Sequence, residues 1–475
     1  MAVTNMSEIQ DLSAVEVTQL IRARGLSARE TVESHIAAIE ARNPPINAVV
    51  TRDFERASER ATLADEQTMR GDAHGLLHGL PMTHKDTFQT AGLRSTSGSR
   101  VFENHVPEQD DLLIARLAAA GVIRTGKTNV PEFGAGSHSF NEVFGTTTNP
   151  YDPTRSAGGS SGGVAAVVAA RIQPLGDGSD MGGSLRIPAA FCNVFGFRPS
   201  HGVIPEEGGP NAYTWLTRSG PIARTVEDLA LFLQATAGPA MLPNASHIPA
   251  TAFRTPLPNL AGVRIGYSFD FGLELPVEPE IIDVLKSQLQ IFEDAGAKVE
   301  EATIDFRDAD ETFDTFRAFD FATRLGPLLE QHKDTIKHEV IWNTQRGLNL
   351  DAAALISAFA SRTRLEVAVH KFFSSFDAFL SPATQVLPFD ANWRWPHDVA
   401  GDHAENYLSW MRSAWLLSAT GLPVLAMPGG FSQSGLPVGW QLAAAHYNDV
   451  RLLDWAAAYE QASGTASHAP ELAFS

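Results

Sequence analysis

The sequence predicts an α/β protein folded as a single large domain. Amphipathic segments of helical length alternate with short apolar segments of strand length, and glycines often separate the two. Of the 475 residues, 44% are hydrophobic and 19% are charged, which is typical of a chain with a large buried core and excludes a disordered protein. No internal repeat and no linker divides the chain, so we expect one domain over residues 1–475.

The individual helices and strands are predicted from hydrophobic periodicity and from the signals at their ends. Ser27 and Glu30 form a capping-box pattern at the start of the second helix. The predicted helices are 14–24, 27–42, 54–70, 110–120, a helix from residue 164, 226–236, 279–295 and 450–461, with further helix over 309–375. The predicted strands are 46–51, 80–83, 122–125, 263–267, 298–304, 378–382 and 424–428.

Charge, apolar runs and cysteine content exclude several classes of function. The 36 basic and 55 acidic side chains give a net charge of −19, the wrong sign for a surface that binds nucleic acid. The first 13 residues do not resemble a signal peptide, and the longest apolar run, 164–170, is far shorter than the roughly 20 residues of a membrane-spanning helix. We therefore expect no nucleic-acid partner, no membrane association and a cytoplasmic location. Cys192 is the only cysteine, which excludes a disulfide framework and a Cys-rich zinc site.

Two glycine clusters interrupt the α/β alternation between residues 149 and 205. The first, GGSSGG at 158–163, contains Ser160, and the second, GSDMGGS at 178–184, ends at Ser184. Glycine allows the backbone to approach another group closely, and successive N–H groups with no Cβ in the way can form an anion site such as an oxyanion hole. Each cluster therefore contributes one candidate serine.

Lys85 follows a predicted buried strand, where a charged amine is costly to desolvate. Its simplest structural explanation is an ion pair with Asp86 or Asp180. A catalytic role requires instead that the amine be neutral near pH 7. The adjacent His84 has no helical partner and no H-E-x-x-H motif occurs, so neither a metal nor any other cofactor is expected.

Two other segments match a known sequence motif, but the secondary structure predicted around each of them does not fit that motif. Residues 121–128 match the phosphate-loop pattern, but a predicted helix precedes them and their interior is strand-like, so nucleotide binding is not expected. Ser160 lies in a G-x-S-x-G pattern, which in an α/β-hydrolase directly follows a strand. Here Pro150 and Pro153 predict a loop before it, and an esterase that uses Ser160 as its nucleophile is kept as an alternative.

Several stretches, taken in order along the chain, resemble the amidase signature family of serine hydrolases. They are GLPMTHKD at 79–86, GKTNVPEF at 126–133, NP at 149–150, GGSSGG at 158–163, GSDMGGSLRIPA at 178–189, GLPVLAMP at 421–428 and GLPVGWQ at 435–441. The resemblance implies one amidase domain with a mixed β-sheet core covered by helices on both faces. It places the catalytic signature core at about 75–225 and a more variable helical region at about 305–400.

The resemblance also implies a Ser–cis-Ser–Lys triad. Ser184 would be the nucleophile, Ser160 the bridging serine after a cis peptide bond, and Lys85 the base. The oxyanion hole would be formed by backbone N–H groups of Met181, Gly182, Gly183 and Ser184. By analogy, the acyl pocket would be flanked by Phe133, Gly134, Ala135 and Trp215. The sequence departs from the family pattern at Ser179, Met181 and Asn193, where Thr, a smaller or β-branched residue, and Gly are common.

The function implied is hydrolysis of the C–N bond of small-molecule amides through an acyl-enzyme, with aryl carbamates and esters as further substrates. Apolar surface from Met82, Trp215 and Trp395 favours uncharged or aryl substrates over short dicarboxylic ones. The family also contains the glutaminase (A) subunit of the tRNA-dependent amidotransferase, which is the second alternative. The segment 217–221 lacks the acidic-amide run associated with that subunit. We expect a monomer or a homodimer.

This chemistry makes a physical demand on Lys85. The usual pKa of a lysine is about 10.4, whereas a general base at neutral pH needs a pKa of about 7–8. Burial can lower the pKa of an amine by that amount. A neutral Lys85 could then take the proton of Ser160 as Ser160 takes that of Ser184. The amine should therefore lie away from water and within hydrogen-bonding reach of a serine hydroxyl.

Overall fold

Helices and strands alternate along the chain, as the sequence predicts. A computed structural model describes residues 6–72, 75–207 and 209–474; residues 1–5, 73, 74, 208 and 475 of the predicted domain lie outside the described residues. The helices α1 to α14 are Met6–Asp11, Ala14–Arg22, Ala28–Ile46, Phe54–Arg70, Leu112–Ala119, Gly162–Ala169, Arg186–Phe191, Val226–Thr236, Pro279–Asp294, Ala309–His332, His338–Leu348, Ala352–Phe373, Arg412–Thr420 and Asp449–Ser463. The strands β1 to β15 are Val49–Arg52, Pro81–Lys85, Ile123–Thr128, Phe140–Asn141, Gly145–Thr146, Leu175–Asp180, Phe195–Arg198, Arg218–Ala223, Arg264–Tyr267, Lys298–Glu301, Ala378–Pro382, Asp398–Val399, Asp402–His403, Val424–Phe431 and Pro437–Ala444.

The main sheet has eight strands in the order β10-β9-β11-β15-β14-β7-β8-β6. Strand β9 pairs in parallel with β10 and β11, and all other neighbours are antiparallel, so the sheet is mixed. A second sheet has three strands in the order β1-β3-β2, with β2 and β3 parallel.

Helices cover both faces of the main sheet, because alternate side chains of a strand point to opposite faces. On one face, Leu425, Met427 and Trp440 pack in a core cluster with α8, α9 and α14. On the other face, Val424 packs in a cluster with α10 and α13, and Ala426 packs in a cluster with α6. The predicted fold class, a single α/β domain with a mixed sheet covered on both faces, is confirmed.

Local sequence signals predict most of the helices and strands, but they do not predict four strands of the main sheet. The predicted helices 54–70 and 226–236 are confirmed, and so is the capping box of Ser27 and Glu30. Strands β6, β7, β8 and β15 were not predicted. The sequences of β6 and β8, LGDGSD and RSGPIA, contain Gly, Asp and Pro, which are depleted in strands. They are strands because their backbones pair with each other over six residues inside the core.

Strand β2 carries the predicted base to the main sheet. It was predicted to end at residue 83, but His84 and Lys85 pair with Lys127 and Thr128 of β3 and extend it. A side chain of the main sheet accepts a hydrogen bond from the backbone of β2: the Lys85 backbone N–H donates to Asp177 Oδ1 of β6 at 2.7 Å. This connection places the end of β2 beside the end of β6, from which the second glycine cluster continues.

No helix within the described ranges is long and apolar enough to cross a membrane. The single cysteine, Cys192, is fully buried beside Ala189, as expected for a core residue. Three helices, α10 to α12, occupy most of the region from residue 309 to 373.

Candidate active site

A cavity of about 360 Å³ opens where the two glycine clusters meet. One wall comes from the clusters themselves and includes Ser160, Met181, Gly182 and Ser184. The facing wall comes from helix α10 and from the segment before β8. The charged and aromatic side chains that line the cavity are Asp111, Glu206, Glu207, Asp320, Arg317, Arg324, Phe88, Phe133 and Phe321.

The Lys85 amine lies behind this cavity and is surrounded by hydroxyl groups. Lys85 is 0% exposed, and its Nζ lies 2.9 Å from the Oγ atoms of Ser160, Ser161 and Ser179. No carboxylate of the described residues lies within 4.0 Å of the amine; Asp86 instead accepts hydrogen bonds from Thr96. The simplest structural explanation of this lysine, an ion pair with Asp86 or Asp180, is therefore not what the structure shows.

Burial controls the protonation of this amine. Desolvation lowers the pKa of Lys85 from its usual 10.5 to about 7, while the carboxylates of Asp180 and Asp177 oppose the shift. The three hydroxyls can satisfy either protonation state, because a hydroxyl both donates and accepts. The amine is thus both shielded from water and poised to gain or lose a proton near neutral pH.

Of the two adjacent serines that reach Lys85, only Ser160 also lines the cavity. The Gly159–Ser160 peptide bond is cis, as the resemblance implies. The Ser161 side chain is fully buried; its Oγ also reaches the Ser179 carbonyl, and its N–H donates to the Ser184 carbonyl at 3.1 Å. Of these two serines, Ser160 is therefore the one whose hydroxyl connects the amine to the cavity; Ser179, whose hydroxyl also reaches Lys85, lines the cavity as well.

Ser184 ends the second glycine cluster and lines the same cavity as Ser160. In the described part of the chain no hydrogen bond joins these two hydroxyls, so a proton relay between them requires that at least one of the two side chains move. Gly183 has a φ of +110°, and a Cβ there would lie 2.6 Å from the Cβ of Ala414. Only glycine fits this position, which explains the second glycine of the pair.

The loop that carries Ser184 is held by Asp180, a buried carboxylate at the end of β6. Asp180 accepts hydrogen bonds from the Gly183 N–H at 2.8 Å and the Leu185 N–H at 3.1 Å, and it forms two 3.0 Å contacts with the Arg186 guanidinium. Burial alone would raise the pKa of Asp180, but Arg186 and Arg198 bring it below its usual range. The carboxylate thus stays charged and fixes the loop.

The hydrogen bonds of Asp180 occupy one of the four predicted oxyanion donors and leave the other three free. The Gly183 N–H is already used by Asp180, so it holds the loop rather than pointing a free donor at a substrate. The N–H groups of Met181, Gly182 and Ser184 have no acceptor among the residues that the structure describes. Three of the four predicted donors are therefore open.

Asp177 and His84 form a buried pair next to the base that sequence reasoning did not assign. His84 Nδ1 lies 2.5 Å from Asp177 Oδ2, and the other oxygen of the same carboxylate accepts the Lys85 N–H. Both side chains are buried. The sequence offered only two hints: His84 directly precedes Lys85, and Asp177 lies within the glycine-rich run. The contacts themselves could not be predicted locally, because Asp177 is separated by 93 positions from His84 and by 92 from Lys85.

The residues predicted to flank the acyl pocket separate into two groups. Phe133 and Gly134 line the cavity, and a Cβ on Gly134 would lie 3.5 Å from Ser160 Oγ. Ala135 is buried in a core cluster with Phe321 and lies outside the cavity lining. Trp215 also lies outside it and packs under the Arg362 guanidinium, 3.8 Å from its ring centre.

The apolar surface expected from Met82 and Trp395 is likewise absent from the cavity lining. Met82 is buried in the core, and Trp395 lines a separate small crevice beside Lys337. Phe88, Phe133 and Phe321 supply aromatic surface in the cavity instead.

The two remaining motif matches are explained by the fold. Residues 157–161 form no strand, and the hydroxyl of Ser160 lies 2.9 Å from the Lys85 amine; no histidine that the structure describes forms a hydrogen bond with it, unlike an α/β-hydrolase nucleophile. Lys127 of the phosphate-loop pattern lies inside strand β3, where it donates to the Phe88 carbonyl and the Thr90 hydroxyl. The departure at Asn193 is also accounted for: Asn193 has a φ of +54°, a conformation that Gly or Asn adopts most readily.

The chain is similar in sequence and fold to amidases and to amidotransferase A subunits. Residues 30–453 match the family model described as Amidase. An acylamidase from Rhodococcus erythropolis is 32% identical, covering 94% of this chain and 95% of its own length. The A subunit of the glutamyl-tRNA(Gln) amidotransferase from Alkaliphilus metalliredigens is 30% identical, covering 98% and 99%. The structure of a bacterial aryl acylamidase of the amidase signature enzymes superimposes with a TM-score of 0.89 at 28% identity, covering 96% and 97%.

Proposed function

Because this chain belongs to the amidase signature family and is a hydrolase acting on C–N bonds, we propose that it is a free-standing amidase that cleaves small-molecule amides through an acyl-enzyme on Ser184. One observation carries the proposal: the fully buried Lys85 amine lies 2.9 Å from the Ser160 hydroxyl, which faces the cavity that contains Ser184. A serine hydroxyl attacks an amide only if a base removes its proton during the attack. The buried amine is suitably placed for that role.

In the proposed reaction, neutral Lys85 takes the proton of Ser160 while Ser160 takes that of Ser184. The Ser184 oxygen attacks the amide carbonyl, and the N–H groups of Met181, Gly182 and Ser184 stabilise the negative charge on the carbonyl oxygen. The proton then returns through Ser160 to the leaving amine, and the C–N bond breaks. Water, activated by the same relay, hydrolyses the acyl-enzyme.

The pH dependence of this reaction follows from the protonation of Lys85. The relay needs a neutral amine, and the pKa of Lys85 is about 7. We therefore expect kcat/KM to fall about tenfold for each pH unit below about 7 and to level off above it. Initial rates with an uncharged anilide between about pH 5 and 9 measure this. A rate independent of pH on the acidic side of neutrality would contradict the assignment of Lys85 as the base.

The Asp177→Asn variant tests how the neighbouring carboxylate affects the base. The asparagine side chain keeps an oxygen that can accept the hydrogen bond from the Lys85 backbone N–H. It lacks the negative charge that favours the ammonium form of the Lys85 side chain. We expect the acidic limb of the kcat/KM profile to move to lower pH. We also expect the plateau to fall about tenfold, because the ammonium formed during attack loses a compensating charge.

Asp228→Asn is the matched control for this variant. Asp228 is also fully buried, and it accepts hydrogen bonds from the Ala14 and Val15 N–H groups far from the cavity. We expect it to lower the melting temperature without moving the pH profile. If the two variants change the profile equally, the effect of Asp177 is structural only.

We propose that aryl carbamates and esters are secondary substrates, because all three classes share one acyl-transfer step. The aromatic side chains Phe88, Phe133 and Phe321 in the cavity support an apolar or aryl group in the substrate. A panel of anilides, aryl carbamates and aryl esters, compared by kcat/KM, tests this. Anilides should be hydrolysed by the chain purified alone.

A glutaminase component of an amidotransferase is the second candidate, since several relatives at 29–32% identity are named as the A subunit of the glutamyl-tRNA(Gln) amidotransferase. Such a component depends on a partner, whereas a free-standing amidase does not. The purified chain is therefore assayed for ammonia release from glutamine and for hydrolysis of an anilide. Anilide turnover without glutamine turnover supports the first candidate, whereas a purified chain that turns over neither substrate is the result expected of the second.

A further inference from the structure

Arg317 is a buried cation on the cavity wall, and all the hydrogen bonds that it donates to described residues go to neutral groups. It is 4% exposed and lines the cavity that contains Ser184. Its Nη2 donates to the Tyr407 hydroxyl at 2.7 Å, its Nε to Asn343 Oδ1 at 3.3 Å, and its Nη1 to the Met181 sulfur at 3.1 Å. Within the described part of the chain, no carboxylate lies within 4.0 Å of this guanidinium.

Aromatic rings keep the guanidinium in one place. Its central carbon lies 4.6 Å from the ring centre of Phe321, 5.7 Å from that of Tyr407 and 5.8 Å from that of Phe313. Cation–π contacts of this kind hold an arginine without neutralising its charge. The side chain is therefore pre-organised, and its charge remains uncompensated at short range.

The contact with Met181 marks the donor that a ligand would use. A thioether is a weak hydrogen-bond acceptor, so the Nη1–H group gains more from an oxygen than from sulfur. Buried arginines are ordinarily paired with carboxylates, often through two parallel hydrogen bonds. A substrate oxygen entering the cavity would supply the partner that the protein does not.

Arg317 also lies close to the proposed site of reaction. Met181 is the first residue of the loop that ends at Ser184. Helix α10 packs directly on that loop, since a Cβ on Gly182 would lie 2.8 Å from Phe313 Cζ, one turn before Arg317. A group bound to Arg317 therefore belongs to the same small molecule whose amide meets Ser184.

The other charged side chains of the cavity limit the number of negative charges that the substrate can carry. Asp111, Glu206, Glu207 and Asp320 also line the cavity, against Arg317 and Arg324. Asp320 is itself engaged by the Thr214 hydroxyl at 2.8 Å. A substrate with two negative charges would meet repulsion from these carboxylates, whereas one negative charge can be satisfied at Arg317.

We propose that Arg317 is a specificity-determining residue that binds a single carboxylate of an otherwise uncharged or aryl amide substrate. The inference rests on the proposed amidase function and names the substrate class. The carboxylate lies outside the scissile amide and takes part in no bond change. Its hydrogen bonds to Arg317 orient the amide towards Ser184.

The test uses two matched sets of anilides, since the carboxylate can lie on either side of the scissile bond. One set is the 4-nitroanilides of glutaric acid, its terminal carboxamide and pentanoic acid. The other is acetanilide with a 4-carboxylate, a 4-carboxamide or hydrogen. In at least one set, we expect the wild-type protein to prefer the carboxylate by about tenfold to a hundredfold in kcat/KM, chiefly through KM.

Arg317→Met should abolish this preference, and Arg317→Lys should keep part of it, because lysine retains the charge without the planar fork. Arg412→Met is the matched control: Arg412 also lies over an aromatic ring, that of Trp415, and pairs with Asp310 outside the cavity. It should leave the carboxylate preference intact.

Each outcome distinguishes the inference from the function on which it rests. If the wild-type protein hydrolyses these anilides with no preference for the carboxylate, or if Arg317→Lys and Arg317→Met leave the ratio unchanged, the subsite is wrong and the amidase function stands. If Arg317→Met fails to fold, the wild-type ratios and Arg317→Lys decide. If no anilide of either set is hydrolysed, the proposed function fails, and the inference fails with it.

Discussion

Replacing Lys85 by methionine is expected to lower kcat/KM for an anilide by at least about a thousandfold while leaving the fold intact. Methionine fills much of the same volume but has no proton acceptor for the Ser160 hydroxyl 2.9 Å away. The loss follows because the structure places no other base within hydrogen-bonding distance of Ser160 among the described residues. Lys85→Ala should show the same loss, with a larger cost in stability from the cavity that it leaves.

Lys127→Met is the control for removing a buried amine as such. Lys127 is also 0% exposed and lies opposite His84 in the next strand, but its amine donates to Phe88 and Thr90 and not to the serines. We expect it to lower the melting temperature with a much smaller loss of turnover. Near wild-type amide turnover at neutral pH in Lys85→Met or Lys85→Ala would show that the proposed relay is wrong.

Ser184→Ala is expected to abolish both turnover and covalent labelling by a fluorophosphonate probe. Removing the nucleophile of a serine hydrolase costs about a millionfold in kcat in a comparable case, so residual turnover should fall below detection. In the wild-type protein, peptide mapping by mass spectrometry should place the probe on Ser184. The melting temperature of Ser184→Ala should stay close to that of the wild type, since the hydroxyl faces the cavity.

The Ser160→Ala and Ser161→Ala variants separate the two adjacent serines. Ser160→Ala should retain slow labelling at Ser184 with little turnover, because the nucleophile remains but the bridge is lost. Ser161→Ala should lose less activity, because its hydroxyl reaches Lys85 but does not line the cavity. A probe found on Ser160 would instead show that Ser160, and not Ser184, is the nucleophile.

Sequence reasoning identified the groups of the candidate site that lie in short motifs. Lys85 follows a buried apolar segment, and Ser160 and Ser184 each stand in a glycine-rich run, so local patterns were enough to select them. The analogy with the family placed Ala135 and Trp215 beside the pocket, but the structure leaves both outside the cavity lining. Their distance along the chain from the glycine clusters says little about where their side chains point.

The amino-acid sequence by itself determined the α/β class, most helices and the candidate residues Lys85, Ser160 and Ser184. These depend on periodicity, on end signals and on motifs read within about ten residues of one another. Only the tertiary structure decided that LGDGSD is a strand of the main sheet, that the Gly183 N–H serves Asp180, and that Arg317 faces the loop of Ser184. Each of these features depends on contacts with residues that are distant along the chain. The packing of the whole chain decides those contacts, and it prevails over local propensity where packing and propensity disagree.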